Sequence, residues 1–368
     1  MKSLYPMKLQ SRTVEKVWGG RELARVLHRS LPGRAPVGEI WVAWDGLEVK
    51  NGPWRNRLLR DLAAKERDVV IGRGIDPTAV DFPLLVKFLD ARQNLSIQVH
   101  PNDTYARLHE GQPFGKSELW YIVDAAPGSV IYQGLNHALS PGELRASLES
   151  GSILEHLAKI EVKMGDVFVN APGTIHALGA GIVIWELQQS SDLTYRLYDW
   201  DRSSTEARRP LHFDQSIDVT DYLPLSVHQI RPVRLSEPGS KRSILGVTPY
   251  FMAELWSIDG SERVCGHGDR FELVTVLTGK ARIRIDGTST LVTLAAGATA
   301  LVPAGVTTYT ITSVGATADV FRSYVPDLWK DVAEPLLAGG VEPGDIVQLG
   351  GDPRTSALAT FVPGGVKK

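Results

Sequence analysis

Short apolar runs, each alternating with polar positions and each closed by a turn, recur along almost the whole chain. Residues i and i+2 share one face of a strand, so such runs predict half-buried strands. They read "GEIWVAW", "PLLVKFLDA" (residues 83–91), "LSIQVH" (95–100), "SELWYIVDA" (117–125) and "SVIYQGL" (129–135). "VKMGDVFVNAPGTIHAL" reads strand, turn, strand, and "GIVIWELQQSSDLTYRLYDW" (181–200) reads as one long strand region or two. The pattern changes in "SPGELRASLESGSILEHLAKI" (140–160). There Ser140 suits a cap, Pro141 a first helical position, and Leu144, Leu148, Leu154 and Leu157 a helical face, predicting one or two short helices broken at Gly151. Further helix candidates are "GGRELARVLH" and "RNRLLRDLAAKER".

Loop-like sequence over 225–240 marks a boundary, after which strands return in "YFMAELWSI", "FELVTVLTG", "ARIRI", "STLVTL", "ATALVPAG" and "TYTITS". Short strands at regular spacing predict an all-β architecture of sandwich or barrel type in both halves. The segment "GDVFVNAPGTIHAL" has a weaker echo in "GATALVPAGVTTYTI", a divergent internal repeat. The expected division is therefore 1–235 with a helical insert near 140–160, then 236–326, then an extension over 327–368. One weak helix candidate, "LWKDVAEPLLA", lies in that extension, which is expected to pack mainly as extended chain.

Composition narrows the field. The formal charge of -2 over 368 residues gives no basic field for nucleic acid or an anionic membrane surface. No helix-turn-helix pattern, secretory signal or membrane-length apolar run is present. One cysteine, Cys265, excludes an internal disulfide and suits a reducing, cytoplasmic setting. Nothing indicates an oligomeric state.

Candidate chemistry begins with "LSIQVHPND", where alternation puts Ser96, Gln98 and His100 on one face and Leu95, Ile97 and Val99 on the other. Glu118 begins the next strand candidate, with Lys116 two residues earlier, and His176 follows the Pro172-Gly173 turn. Taken singly, each is an ordinary polar side chain. Together, two imidazoles, a carboxylate and an amide oxygen suit a divalent ion, zinc above others. Glu186 and Arg196, ten positions apart, can face one side of an extended segment, as a base and an oxyanion or phosphate partner, or as a surface ion pair. Lys116 beside a ligand points to an anionic substrate. Cys265 and His267 in "RVCGHGDRF" read as loop residues, with no third or fourth ligand at a useful spacing, so the second half is expected to hold no metal.

These segments resemble the type I phosphomannose isomerases of the cupin superfamily, in their short bacterial form. The likeness rests on "VWGG", "GEIW", "FPLLVKFLDARQNLSIQVHPND", "GKSELWYIVDAAPGS", "APGTIHALGAGIVIWELQQSSDLTYRLYDWDR" and "LHFD", and spans most of residues 10–215. It implies two cupin-like jelly-roll β-barrels, one Zn2+ per chain and a sugar phosphate as substrate. It puts the metal ligands on Gln98, His100, Glu118 and His176 and the essential arginine on Arg196. Lys116, Ser96 and Glu186 fall on the family's lysine, serine and later acidic residue. The implied reaction interconverts mannose 6-phosphate and fructose 6-phosphate through a cis-enediol. Arg196 is expected to stabilise the enediolate, Glu186 to move the proton, with Lys116 or a zinc-bound water as the alternatives, and Ser96, Lys116 and Arg196 to bind substrate. The competing readings are an iron oxygenase of cupin type, which leaves Lys116 and Arg196 unexplained, and a non-catalytic sugar-binding cupin.

Overall fold

The computed structural model describes residues 4–75, 82–202, 209–235 and 241–363. The expected boundary after residue 235 abuts residues 236–240, which lie outside the described residues. The predicted strands are present, and they assemble into four antiparallel sheets stacked in layers.

The first is a five-stranded sheet ordered Tyr195–Tyr198, Ile97–Val99, His176–Leu178, Val130–Leu135, Leu157–Glu161. The second is seven-stranded, ordered Gln229–Ile230, Val167–Asn170, Glu118–Ala125, Ile182–Gln189, Leu84–Ala91, Arg12–Gly20, Val37–Ala43. Alternation explains their stacking. Along Ile182–Gln189, Ile182 and Ile184 join a core shared with Ile131 and Leu178 of the first sheet. Val183, Trp185 and Leu187 point the other way, into a core shared with the second half. Outside the first sheet, Ile97 and Val99 pack on Leu144, Leu148 and Phe213 of a helical layer.

In the second half, a seven-stranded sheet that includes Thr299–Val302, Glu272–Thr278, Ala318–Tyr324 and Met252–Ile258 faces a four-stranded sheet, Ser261–Cys265, Thr308–Ser313, Lys280–Ile285, Leu291–Ala295. Their shared core includes Val274, Val276, Ile283, Ile311 and Val320. The two seven-stranded sheets lie back to back, and Trp185 stacks on Phe321 across them with ring centroids 4.0 Å apart. Such a pair adds about 0.5–1.5 kcal/mol beyond its area burial. Met7–Lys8 crosses over to pair with Thr299–Val302.

Three expectations are corrected here, and one open alternative is decided. No sheet closes on itself among the described residues, so each half is an open two-sheet sandwich rather than a closed barrel. Of the two readings of 181–200, two strands is the one observed: Ile182–Gln189 and Tyr195–Tyr198, which belong to opposite sheets. Helix Pro141–Ser150 forms with the predicted Ser140 cap and stops at Gly151 (φ 74°), but Leu157–Glu161 is a strand, because an edge position beside Val130–Leu135 is open to it. The extension is largely helical, with turns at Leu328–Ala333, Glu334–Ala338, Pro343–Val347 and Ala357–Thr360. Val332, Leu336, Ile346, Leu349 and Leu358 join the central core, so burial organises a segment whose sequence periodicity is weak.

Candidate functional site

The two facing sheets of the first half are apolar at one end and polar at the other. On Glu118–Ala125 the inward residues run Glu118, Trp120, Ile122; on Ile182–Gln189 they run Gln188, Glu186, Ile184. The polar end opens into a cavity of about 300 Å³. Its walls are Lys16, Trp18, Glu39, Lys87, Leu89, Leu95, Ser96, Gln98, Lys116, Glu118, Trp120, Glu186, Asp192, Thr194, Arg196 and Arg209.

Strand register brings the candidate ligands together. Gln98 lies opposite His176 on one side and opposite Arg196 on the other. Glu118 reaches across from the second sheet, 3.3 Å from His100 Nε2 and 3.3 Å from His176 Nε2. His100, Glu118 and His176 are all buried, and one ligating atom from each lies within 4.8 Å of the others. Both rings are oriented from behind: His100 Nδ1 lies 2.8 Å from Leu193 O, and His176 Nδ1 lies 2.8 Å from Thr174 O. A carbonyl only accepts, so each Nδ1 carries the proton and each Nε2 presents a lone pair to the cluster. Despite the close approaches, buried His100 Nε2 and Glu118 Oε2 make no hydrogen bond. Buried polar atoms left this way are costly. A divalent cation at this point satisfies both, and imidazole and carboxylate are donors it takes.

The electrostatics agree. Burial drives the His100 imidazole down to about 3, and Lys116 adds to the shift, so the ring stays neutral as a ligand must. Burial pushes the Glu118 carboxyl up, but the Lys116 ammonium, 2.8 Å away, outweighs it and holds the group well below the usual carboxylate range. Gln98 turns its amide nitrogen toward His176, 3.3 Å from Nε2.

Beside this cluster runs a buried chain of charges. Lys87 Nζ lies 3.1 Å from Glu186 Oε1. Glu39, on the neighbouring strand, accepts from Trp41 Nε1 at 2.6 Å and lies 3.4 Å from Lys16 Nζ. Burial and the nearby Glu118 charge raise the Glu186 carboxyl to about 7, against the pull of Lys87. Burial lowers Lys87, but Glu186 and Glu39 more than reverse this, so the lysine is cationic.

All eight sequence candidates are accounted for: six line the cavity, and His100 and His176 stand behind Glu118. Two details differ from expectation. Glu186 and Arg196 are not on one face of one segment; they approach the cavity from opposite sheets. Leu95 does not follow Ile97 and Val99 outward, because the strand starts only at Ile97, and it packs in the inter-sheet core instead. Lys87 and Glu39 went unrecognised in the sequence. Their signal was a charge inside a run otherwise apolar enough to be buried on both faces.

A family model described as "Phosphomannose isomerase type I, catalytic domain" matches residues 7–124. A mannose-6-phosphate isomerase of Streptococcus mutans is 41% identical over 286 residues, covering 76% of this chain and 87% of that protein. One of Bacillus subtilis is 36% identical over 275 residues, covering 73% and 84%. A crystal structure of the mannose 6-phosphate isomerase from Bacillus subtilis superposes with a TM-score of 0.78 at 30% identity, covering 87% of this chain and 99% of that one. The apo enzyme from Salmonella typhimurium, 16% identical with a TM-score of 0.68, shares the fold.

Proposed function

The chain belongs to the type I phosphomannose isomerases, a family of aldose–ketose isomerases, and on that premise we propose that it interconverts mannose 6-phosphate and fructose 6-phosphate through a cis-enediol at a zinc site. The observation that carries the reading is the buried His100–Glu118–His176 cluster, with an unpaired lone pair and an unpaired carboxylate oxygen, at the floor of a cavity walled by cations and carboxylates. Residues 1–235 form the catalytic unit in this proposal, 236–326 a second unit that covers its back, and 327–368 an extension. A cytoplasmic setting is proposed with them.

In the proposed site, His100, His176, Glu118 and Gln98 hold one Zn2+ per chain. Gln98 ligates through its side-chain oxygen, so its amide turns over from the orientation described above. When bound, zinc polarises the sugar oxygens as a Lewis acid.

The chain's own groups do the rest. Trp18 and Trp120 give apolar wall to the faces of the sugar. Ser96 and Lys116 contact substrate, Lys116 as a fixed cation beside Glu118. Glu186 takes the proton from C2 of the aldose and returns it to C1, a task suited to a carboxylate whose pKa lies near neutrality. Lys87 holds that carboxylate in place and keeps it from rising further. Arg196 meets negative charge as it develops on the enediolate oxygens.

The test is a coupled isomerase assay on phosphorylated and free aldoses, run with exclusion of oxygen. Turnover of mannose 6-phosphate without oxygen is expected; a requirement for oxygen, or no isomerase activity at all, removes the proposal. The base assignment has its own signature. Glu186 works ionised, so kcat/KM should fall as pH drops through about 7. Glu186→Gln should lower kcat by about 10²–10⁴-fold and flatten that limb. A variant that keeps the acid limb shows that another group moves the proton.

A further inference from the structure

The strand order of the second sandwich follows that of the first, except that Tyr195–Tyr198 of the five-stranded sheet has no counterpart in the four-stranded one. The Glu118 strand lies between Val167–Asn170 and Ile182–Gln189; the Glu272 strand lies between Thr299–Val302 and Ala318–Tyr324. Each begins with a buried glutamate. Asn170 faces Glu118 and Val302 faces Glu272, and each is followed by a turn built from proline, alanine and glycine. On the facing sheets, Ile97–Val99 pairs with the His176 strand as Ser261–Cys265 pairs with Thr308–Ser313. His100 comes just after the former strand and His267 just after the latter. Tyr309 thus stands on the counterpart of the His176 strand.

One register position breaks the likeness. Glu186 lies opposite Trp120, two residues along from Glu118, and pairs with Lys87 on its other side. The same position of the second sandwich, opposite Val274 and two along from Glu272, holds Arg322, and its partner on the other side is Glu254. The cross-strand ion pair is kept with its signs exchanged.

The consequence is visible in the hydrogen bonds. Glu272 Oε1 accepts from His267 Nδ1 at 2.8 Å and from Arg322 Nη2 at 2.9 Å. Its Oε2 accepts from Tyr309 OH at 2.5 Å and from Arg322 Nε at 2.8 Å. Arg322 Nη1 donates to Glu254 Oε2 at 3.2 Å. The His267 backbone N–H also donates to Oε1 at 3.3 Å, so both carboxylate oxygens are at least doubly satisfied, where Glu118 Oε2 and His100 Nε2 are left open. His267 is therefore not the plain loop residue expected from its glycine-flanked sequence.

We propose that the second sandwich carries the internal counterpart of the first half's cation site, and that the Arg322 guanidinium is its permanent cation. A planar donor fork can fill the place of a divalent ion beside a buried carboxylate, since it offers charge and several directed donors at once. Such a site needs no metal, which explains why a His and a Glu at ligand distance coexist there without open valences. It also makes the site latent: with the guanidinium gone, His267 and Glu272 are a partial ligand set around a vacated position. The comparison uses the first half's cation reading, but the tests separate, because the two ions are counted independently.

The experiment uses the full chain. Arg322→His supplies a third ligand at the vacated position, in the parent and in a His176→Ala background that silences the first site. Zinc content after gel filtration and the thermal midpoint with and without added Zn2+ are measured. The expected result is about one additional zinc per chain in Arg322→His over its parent, and a zinc-dependent rise in Tm of about 3–8 °C in the His176→Ala background. A folded Arg322→His protein that binds no additional ion and gains no stability from zinc overturns the proposal. If Arg322→His does not fold, the neutral set Glu254→Gln, Glu272→Gln, Arg322→Met decides. It removes both carboxylate charges together with their cation, and folding to near-parent Tm is expected if charge compensation is the role of Arg322. Failure of that variant to fold overturns it.

Discussion

Exhaustive chelation is expected to take isomerase turnover to background while the protein stays folded, and stoichiometric Zn2+ is expected to restore it. The two halves of this statement have separate grounds. Activity should vanish because the cluster at the cavity floor is built from groups that are incomplete without a cation: a neutral imidazole, a carboxylate held ionised, and buried atoms that make no hydrogen bond. The fold should survive because none of the four apolar cores draws on those residues. His100→Ala and His176→Ala should each weaken zinc binding by more than the roughly 10–100-fold typical of losing a group that merely orients a ligand. Metal content and turnover should fall together, with a far-ultraviolet circular dichroism spectrum like that of the parent. Full turnover in protein shown by elemental analysis to be metal-free would refute this reading. Unfolding of the metal-free protein would mean that the site, and not the apolar layers, organises the first half.

What the sequence disclosed depended on whether chemistry interrupted the strand pattern in a recognisable way. Gln98 and His100 stood out because two polar residues occupied one face of an otherwise apolar run, and the register of Gln98 with both His176 and Arg196 is the reason. The layering followed from alternation, since Val183, Trp185 and Leu187 need a second core behind the sheet. Lys87, Glu39, Glu272 and Arg322 were hidden by the same logic. Each is a charge set in a strand otherwise largely buried on both faces, and such a charge does not announce its partner, which lies on a strand distant in sequence. The extension was misread for another reason. Its short helical turns have no periodic face of their own, and their apolar residues make sense only against the core formed by the two back-to-back sheets.

Arg196→Ala is expected to lower kcat by about 10²–10³-fold with zinc content unchanged, the size usual for losing one preorganised donor to a developing oxyanion. Arg196 is half-buried, and burial together with the neighbouring Arg209 lowers its guanidinium to about 10, which still leaves it cationic at neutral pH. Its Nη1 donates to Pro210 O at 3.0 Å, which fixes the plane of the group, while its buried Nε has no hydrogen-bond partner among the described residues. In the proposed mechanism, this fixed cation with an unused donor beside the cavity meets charge that is absent in the free protein and appears on the substrate. The backbone of the same residue is held by His212, whose Nδ1 accepts from Arg196 N at 3.1 Å, so the position does not depend on substrate. Arg196→Lys should recover only part of the loss, because an ammonium cannot reproduce the directed fork. The split between kinetic constants decides the role. A fall in kcat and kcat/KM together means that Arg196 acts in the transition state. A raised KM with unchanged kcat would transfer Arg196 to ground-state binding of the phosphate, and the enediolate would then have to be met by Lys116, the other cation poised beside Glu118.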